Sequence, residues 1–213
     1  MEKWRTLLRS GLECLDSLDD IGVDRTWWAL GGGASLILRY EHRGTNDADF
    51  FLRNAQVIPA LSPRLNDKVA HITEDYEECS SSLKLTLPAG DIDFVVAAQL
   101  TRPATEWRVV EGREIQVETA LEVVAKKVFY RGVDFKARDL VDLAFLLEHE
   151  PDFGDLLAPT VESRLDGLGR RLRVLEADWP KMAGPVPLLP PTEAILDRAP
   201  AIVRAWIERH TPR

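Results

Sequence analysis

Two aspartates, Asp47 and Asp49, stand two positions apart in the run DADFFL, which spans residues 47–52. Side chains at positions i and i+2 of a strand point to the same face and lie about 7 Å apart. Two carboxylates at this spacing repel each other unless a cation lies between them. Mg²⁺ prefers oxygen ligands and commonly takes one or two carboxylates together with substrate phosphates. The pair therefore predicts a Mg²⁺-binding site. The alternative is that the two side chains lie on a solvent-exposed strand face and bind no metal.

A glycine-rich turn precedes this pair in the sequence. Gly32 and Gly33 follow the apolar run 27–30, and Ser35 comes just after them. Glycine lets the backbone approach a phosphate closely, and the first N–H groups of a following helix bind anions. We therefore predict that Gly32, Gly33 and Ser35 contact phosphate groups. A tight strand-to-helix turn without a ligand is the alternative.

A third carboxylate, Asp93, lies inside the predicted strand DIDFVV at residues 91–96. A carboxylate in an otherwise apolar strand is costly unless it is paired or binds a ligand. We therefore predict that Asp93 is the third metal ligand. Asp91 shares its face and is the rival candidate, although it lies closer to the turn at 88–90.

The elements that position these residues follow from the spacing of apolar side chains. Alternation predicts strands at 47–52, 83–87 and 91–96 and a hairpin at 107–117. Helical spacing predicts helices at 3–20, 119–130, 138–148, 155–176 and 192–209. The expected fold class is α/β (α+β), with a small mixed-sheet domain over residues 1–118 and a helical domain over 119–213.

A second charged cluster lies in the predicted helical domain. Lys127 and Arg131 are four residues apart and thus neighbours on one helix, while Arg138 opens the next helix. Asp139 and Asp142 share a face of that second helix. The cluster fits ion pairing between two helices, and it also fits a cationic wall that binds phosphates.

The order of these motifs resembles the nucleotidyltransferase fold of the DNA-polymerase-β type. In that superfamily a glycine turn holds a nucleoside triphosphate and three aspartates bind two Mg²⁺ ions. The resemblance implies that Asp47, Asp49 and Asp93 bind the metal, with Asp93 also activating the attacking hydroxyl. It departs from the superfamily at Ala34, where a small hydroxyl residue is usual, and Ser35 follows one place later.

A narrower resemblance, over residues 25–150, is to the AbiEii/AbiGii-type toxin nucleotidyltransferases. It is carried by GGGASLILRYEHRGTNDADFF and by Lys127 followed by RDLVDL at residues 138–143. The family implies that Lys127 binds the nucleotide phosphates, assisted by Arg131 and Arg138, and that Asp139 or Asp142 is a supporting or catalytic carboxylate. It implies transfer of a nucleotide from an NTP to an RNA (tRNA-like) or protein acceptor. It also implies a cognate antitoxin as partner, within a type IV toxin–antitoxin or phage-defence system.

Composition and absent motifs exclude several other classes. The net charge is −8 and the pI about 5.1, which argues mildly against a large nucleic-acid footprint. Cys14 and Cys79 form no CxxC, and the four histidines have no zinc spacing, so zinc chemistry is unsupported. No GxSxG or GxxxxGK[ST] occurs. No apolar run approaches the roughly 20 residues that span a bilayer, so we expect a cytoplasmic protein without membrane partners.

Two further interpretations stay open. A catalytically silent nucleotidyltransferase-like domain would bind a partner protein, but such a domain would have lost its metal ligands. An antibiotic-type nucleotidyltransferase would use the same metal ligands on a small cationic acceptor, which suits the acidic balance. The RDLVDL helix favours the toxin-type family instead.

Overall fold

Seven strands form one mixed sheet in the computed structural model, which describes residues 2–211. The strands are β1 (Trp28–Gly31), β2 (Asp47–Leu52), β3 (Tyr76–Cys79), β4 (Ser82–Leu87), β5 (Gly90–Val96), β6 (Thr105–Val110) and β7 (Arg113–Glu118). Their order is β3-β4-β5-β2-β1-β7-β6. The pairs β2–β5 and β1–β7 are parallel, and the other four pairs are antiparallel. The α/β prediction is therefore confirmed.

The central strand β2 shows why its sequence folds as expected. Ala48, Phe50 and Leu52 are buried, and the intervening residues are only partly covered. A strand with one buried face shows this alternation, because successive side chains point to opposite faces of the sheet. The edge strand β3 was not predicted, because its sequence YEEC carries no alternation of apolar and polar residues.

Four helices begin in the sheet-containing part of the chain. They are α1 (Glu2–Asp16), α2 (Gly32–Tyr40), α3 (Ile58–Leu61) and α4 (Asp67–Ala70). The helix predicted over residues 3–20 ends earlier than expected, at Asp16, and a 3-10 turn follows at Asp19–Ile21. Helix α1 packs its buried leucines against β2 and β5, so the main apolar core lies between this helix and the sheet.

Among the residues that the structure describes, seven helices follow the sheet. They are α5 (Ala120–Arg131), α6 (Ala137–His149), α7 (Phe153–Val161), α8 (Leu165–Glu176), α9 (Trp179–Ala183), α10 (Pro190–Glu193) and α11 (Ala199–His210). The single helix predicted over 155–176 is wrong. Pro159 lacks the N–H that a continuing helix needs, and the chain passes through a 3-10 turn at Glu162–Arg164. The last helix starts at Ala199 rather than near 192, with Pro200 in its first turn.

The chain divides into two compact units. The first contains residues up to 38, 45–99 and 105–119, and the second contains residues 39–44, 100–104 and those from 120 onward. The second unit thus includes two short segments that come from the sheet-containing part of the sequence. No helix within residues 2–211 is long and apolar enough to cross a membrane.

Gly11 on α1 gives a test of the packing in the first unit. A Cβ built there would collide with the ring of Phe50, lying 2.8 Å from its Cζ. We expect Gly11→Ala to destabilise the protein by about 1–3 kcal/mol through overpacking. Gly169→Ala on α8 is the matched control, because its Cβ would meet only an ordinary contact at 3.8 Å.

Urea unfolding of the two variants measures the free energy of unfolding. The control should stabilise the protein slightly, because alanine restricts the unfolded chain more than glycine does. Equal stability changes for Gly11→Ala and Gly169→Ala would show that α1 does not pack closely on Phe50.

Candidate active site

Four carboxylates occupy one face of the neighbouring strands β2 and β5. In the parallel register Asp47 pairs with Asp91 and Asp49 pairs with Asp93. Register partners lie about 4.8 Å apart across the sheet, so the two pairs form a compact acidic patch. The structure thus places Asp47, Asp49 and Asp93, which the sequence marks as metal ligands, on two neighbouring strands.

The glycine turn lies directly beside this patch. Gly31, the last residue of β1, pairs with Asp49, and Gly32 begins α2 with a φ of +56°. A Cβ at Gly32 would collide with the Asp49 carboxylate and lie 2.5 Å from its Cγ. Glycine is therefore required at position 32 both for its backbone conformation and for the close approach of Asp49. Gly33 is buried in the first turn of α2.

Ser35, the third predicted phosphate-binding residue, has a protein acceptor for its hydroxyl. The side chain is fully buried and donates a hydrogen bond of 2.7 Å to the backbone oxygen of Glu118. This contact fastens α2 to the end of β7. The side chain of Glu118 in turn lies against Gly31, where a Cβ would collide with it. Glu118 belongs to no motif, so sequence reasoning assigned it no role.

The electrostatics of the patch distinguish Asp93 from Asp91. Burial raises the pKa of Asp93 to about 6, with a further contribution from the Asp49 carboxylate, while Lys84 opposes the shift. Asp91 forms an ion pair of 2.8 Å with Lys84 and accepts a hydrogen bond from Thr86. Asp91 is thus paired with a cation, whereas more negative than positive charge surrounds Asp93.

The composition of the patch suits a divalent cation. Within residues 2–211, no three acidic, histidine or cysteine side chains converge closely enough to hold a metal on their own. Mg²⁺ normally completes a set of one or two carboxylates with water and substrate phosphates. Burial and, after it, the Asp49 carboxylate raise the pKa of Asp93, and a bound cation would favour the ionised carboxylate against both. The donor set therefore fits Mg²⁺ together with a phosphate ligand.

A second charged cluster, within the second unit, centres on the fully buried Asp142. Its carboxylate accepts hydrogen bonds from Arg43 at 2.5 and 2.7 Å, from His42 at 2.7 Å and from Lys127. Burial opposes ionisation, but the charges of Arg43 and Lys127 outweigh it and hold the pKa of Asp142 well below its usual value. Asp142 is therefore a buried anion neutralised by two permanent cations.

Lys127 also bridges to the neighbouring acid of α6. Its ammonium lies 3.3 Å from Asp139, which accepts a hydrogen bond of 2.6 Å from Arg131. The charges of Lys127 and Arg131 overcome the cost of burial and lower the pKa of Asp139. The predicted Lys127 and Arg131 are thus brought together, and Arg138 lies exposed at the start of α6. The ion pairing expected between two helices is present.

His42 and Arg43 are members of this cluster that sequence reasoning missed. Each binds Asp142 across about 100 residues, and although both lie in the segment that carries the family resemblance, sequence reasoning assigned them no role. The backbone oxygen of His42 also accepts hydrogen bonds from the backbone N–H of Leu189 and from the hydroxyl of Thr192. The segment between α2 and β2 is therefore fixed within the second unit at several points.

The family model described as "Nucleotidyl transferase AbiEii toxin, Type IV TA system" matches residues 15–206. No curated protein sequence matches at a significant level.

Among solved structures, JHP933 from Helicobacter pylori is similar over 96% of this chain and 90% of its own, with 17% identity and a TM-score of 0.53. A second H. pylori protein, described as a candidate nucleotidyltransferase, covers 96% of this chain and 92% of its own, with 18% identity and a TM-score of 0.53. At these identities the likeness concerns the fold.

The raised pKa of Asp93 predicts a pH-dependent gain in stability on Asp93→Asn. Between pH 4 and about 6 the folded state retains a proton that the unfolded state has lost, so wild-type stability falls as the pH rises. Above this window the folded protein carries the full cost of the ionised carboxylate, which the amide avoids. In EDTA we expect Asp93→Asn to stabilise the protein at pH 7.5 by about 1–2 kcal/mol, a value reduced for partial exposure, and to have little effect at pH 4.

Thermal unfolding at the two pH values measures this difference. Asp75→Asn, at an exposed aspartate, is the control and should shift the melting temperature equally at both. A gain for Asp93→Asn that does not grow with pH would contradict the electrostatic interpretation of the patch.

The buried cluster predicts a large loss of stability on Asp142→Asn. The amide keeps the shape of the side chain but leaves Arg43 and Lys127 without their buried counter-charge. We expect a loss of about 3–5 kcal/mol in the free energy of unfolding, measured in urea. Asp134→Asn, which removes an exposed ion pair with Lys136, should change it little. Similar effects of the two substitutions would refute the buried ionic cluster.

Proposed function

Because the chain belongs to the AbiEii family of nucleotidyltransferase toxins, we propose that it transfers a nucleotide from an NTP to an RNA or protein acceptor with Mg²⁺ as cofactor. The observation that carries this proposal is the contact of Asp49 with Gly32 on one side and its pairing with Asp93 on the other. A metal-binding carboxylate and a phosphate-binding backbone turn are thereby adjacent within one unit.

The proposed metal ligands are Asp47, Asp49 and Asp93. Asp47 and Asp49 project from the same face of β2, and Asp93 is the register partner of Asp49 on β5. The choice of Asp93 over Asp91 is supported by the ion pair that engages Asp91 with Lys84. When bound, Mg²⁺ would neutralise negative charge on the reacting phosphate and on the departing pyrophosphate.

The glycine turn is proposed to bind the triphosphate through the backbone. Gly32 and Gly33 open α2, so their N–H groups belong to the helix terminus that attracts anions. In the reaction the acceptor hydroxyl oxygen attacks the α-phosphorus, and the bond from that phosphorus to the β-phosphate oxygen breaks. Pyrophosphate leaves with the electron pair of that bond, and Asp93 receives the proton of the hydroxyl.

Lys127 is proposed to assist phosphate binding as an ammonium with a fixed position. Around it, Arg43 and Arg131 contribute two further positive charges against the two carboxylates of Asp139 and Asp142. The cluster therefore keeps an excess of positive charge even without counting His42. Arg131 and Arg138 are proposed to assist, and a cognate antitoxin is the proposed partner in the cell.

Calorimetric titration of the four NTPs in the presence and absence of Mg²⁺ tests the proposal. We expect Mg²⁺-dependent binding of at least one NTP that Asp47→Asn/Asp49→Asn loses, because the amides cannot neutralise the cation. Asp19→Asn/Asp20→Asn has the same change in charge at exposed positions of the first unit and should bind like the wild type.

The glycine turn is tested in the same titration. Gly32→Ala should abolish binding, whereas Gly112→Ala, also at positive φ but with nothing within 4 Å of its Cβ, should retain it. Incorporation of labelled nucleotide into RNA or protein then identifies the acceptor. If no NTP binds, or both double variants bind equally, the Mg²⁺ site is wrong and the silent binding domain is the better account.

A further inference from the structure

Strand β6 ends the sheet on one side, and among the residues that the structure describes no strand pairs with its outer edge. Edge strands usually avoid pairing with another chain through a proline, a bulge or a lysine-rich sequence. β6 has no proline or lysine, and its six residues pair with β7 in unbroken register. Trp107 and Val109 share one face of the strand and are 50% and 76% exposed. The outer edge of β6 is therefore suited to binding a further strand.

The turn between β6 and β7 determines which backbone groups of β6 point outward. Glu111 and Gly112 both have a positive φ, and Val110 and Arg113 on either side of them are register partners. In a two-residue hairpin the flanking pair exchanges its hydrogen bonds, and pairs with and without hydrogen bonds then alternate along the strands. The residues whose N–H and C=O groups point away from β7 are therefore Thr105, Trp107 and Val109.

These outward residues match a second copy of β6 in antiparallel orientation. If Trp107 lies on a two-fold axis, Thr105 of one copy is opposite Val109 of the other. Every outward residue then has an outward residue as its partner, and the three pairs form about six hydrogen bonds between the chains. An axis at residue 106 or 108 would leave only two such pairs. The backbone therefore favours the alignment centred on Trp107.

The same alignment brings charges of opposite sign together. Glu106 lies opposite the partner's Arg108, in a pair without backbone hydrogen bonds, where facing side chains are closest. Within one chain these two side chains form an ion pair of 3.5 Å and are partly exposed, so both can also reach a neighbouring strand. On the opposite face the two Trp107 rings meet. Backbone, charges and aromatic rings thus favour one register.

The other edge of the sheet is a poorer partner for β6. Strand β3 has only four residues, and two of them are the adjacent acids Glu77 and Glu78. Pairing of β6 with β3 of another copy would also leave one edge unpaired at each end. Such a head-to-tail contact builds an open chain of molecules, whereas a contact between identical strands is closed by its own symmetry.

We propose that two copies of this chain associate through β6 into a two-fold symmetric dimer, in which the two sheets join into one sheet centred on the two Trp107 side chains. The proposal goes beyond nucleotidyl transfer and does not depend on it, because no residue of β6 belongs to the proposed metal or phosphate site. NTP titration of the β6 variants described below should therefore match that of the wild type.

Sedimentation equilibrium of the full chain between about 5 and 500 µM tests the proposal. We expect the mass to rise from 24.0 kDa to twice that value, with a Kd on the order of 10–100 µM because a single strand pair is a small interface. Glu106→Arg and Arg108→Glu each place like charges opposite each other twice, so each should raise the Kd about tenfold. Glu74→Arg, the same change in charge at an exposed loop residue, is the control and should dimerise like the wild type.

The exchange of the two charges tests the register itself. Glu106→Arg/Arg108→Glu restores both pairs of opposite charge and should recover the wild-type Kd. An equimolar mixture of the two single variants should form heterodimers more tightly than either variant associates with itself. Recovery by the exchange also shows that the single variants lose dimerisation through charge and not through misfolding.

Val109→Pro tests the backbone contribution. Proline removes an outward N–H and leaves the hydrogen bonds to β7 in place, so the Kd should rise about tenfold while the far-UV circular dichroism stays that of the wild type. A mass of one chain at every concentration, a mass that grows beyond two chains, or a charge exchange that fails to recover the Kd would overturn the proposal.

Discussion

The Asp49 carboxylate lies in the space that a Cβ at Gly32 would fill, and much of the first unit is arranged around this close approach. The contact requires a left-handed glycine where β1 ends, an antiparallel register that places Gly31 opposite Asp49, and a helix that begins immediately afterwards. The parallel pairing of β2 with β5 then adds Asp93 beside Asp49. A shift of one residue in either register would turn these carboxylates to the apolar face.

The two charged clusters differ in the groups that surround their carboxylates, and the pKa values shift in opposite directions. Asp142 and Asp139 are deeply buried, and protein cations lower the pKa of both. On β2 and β5, burial and the neighbouring Asp49 carboxylate raise the pKa of Asp93. A carboxylate cluster that the protein itself does not neutralise is costly, and perturbed groups of this kind are typical of functional sites. The carboxylates of the Asp142 cluster are therefore neutralised by protein cations, whereas the patch on β2 and β5 has the electrostatics of a ligand site.

The features that could be predicted from the sequence were those that depend on the spacing of nearby residues. Asp47 and Asp49 could be assigned to one strand face because alternation has a fixed period, and the glycine turn was recognisable from its place after an apolar run. The pairing of Arg43 with Asp142 was not predictable, because no local pattern relates residues 99 apart. The continuous helix expected over 155–176 was wrong because apolar spacing persists through the interruption after Pro159. The spacing of apolar residues shows which face of a helix is buried, but it does not show whether the helix is continuous.

The order of synthesis gives the buried cluster a further consequence. Arg43 leaves the ribosome about 100 residues before its acceptor Asp142, and β1 cannot pair with β7 until residue 118 has emerged. In a nascent chain that ends between these points, Arg43 is without its buried partner and the sheet is incomplete. These two contacts can therefore form only after most of the chain has been synthesised, and a truncated product that ends near residue 118 would lack Asp142, the anion that binds Arg43 in the segment between the glycine turn and β2.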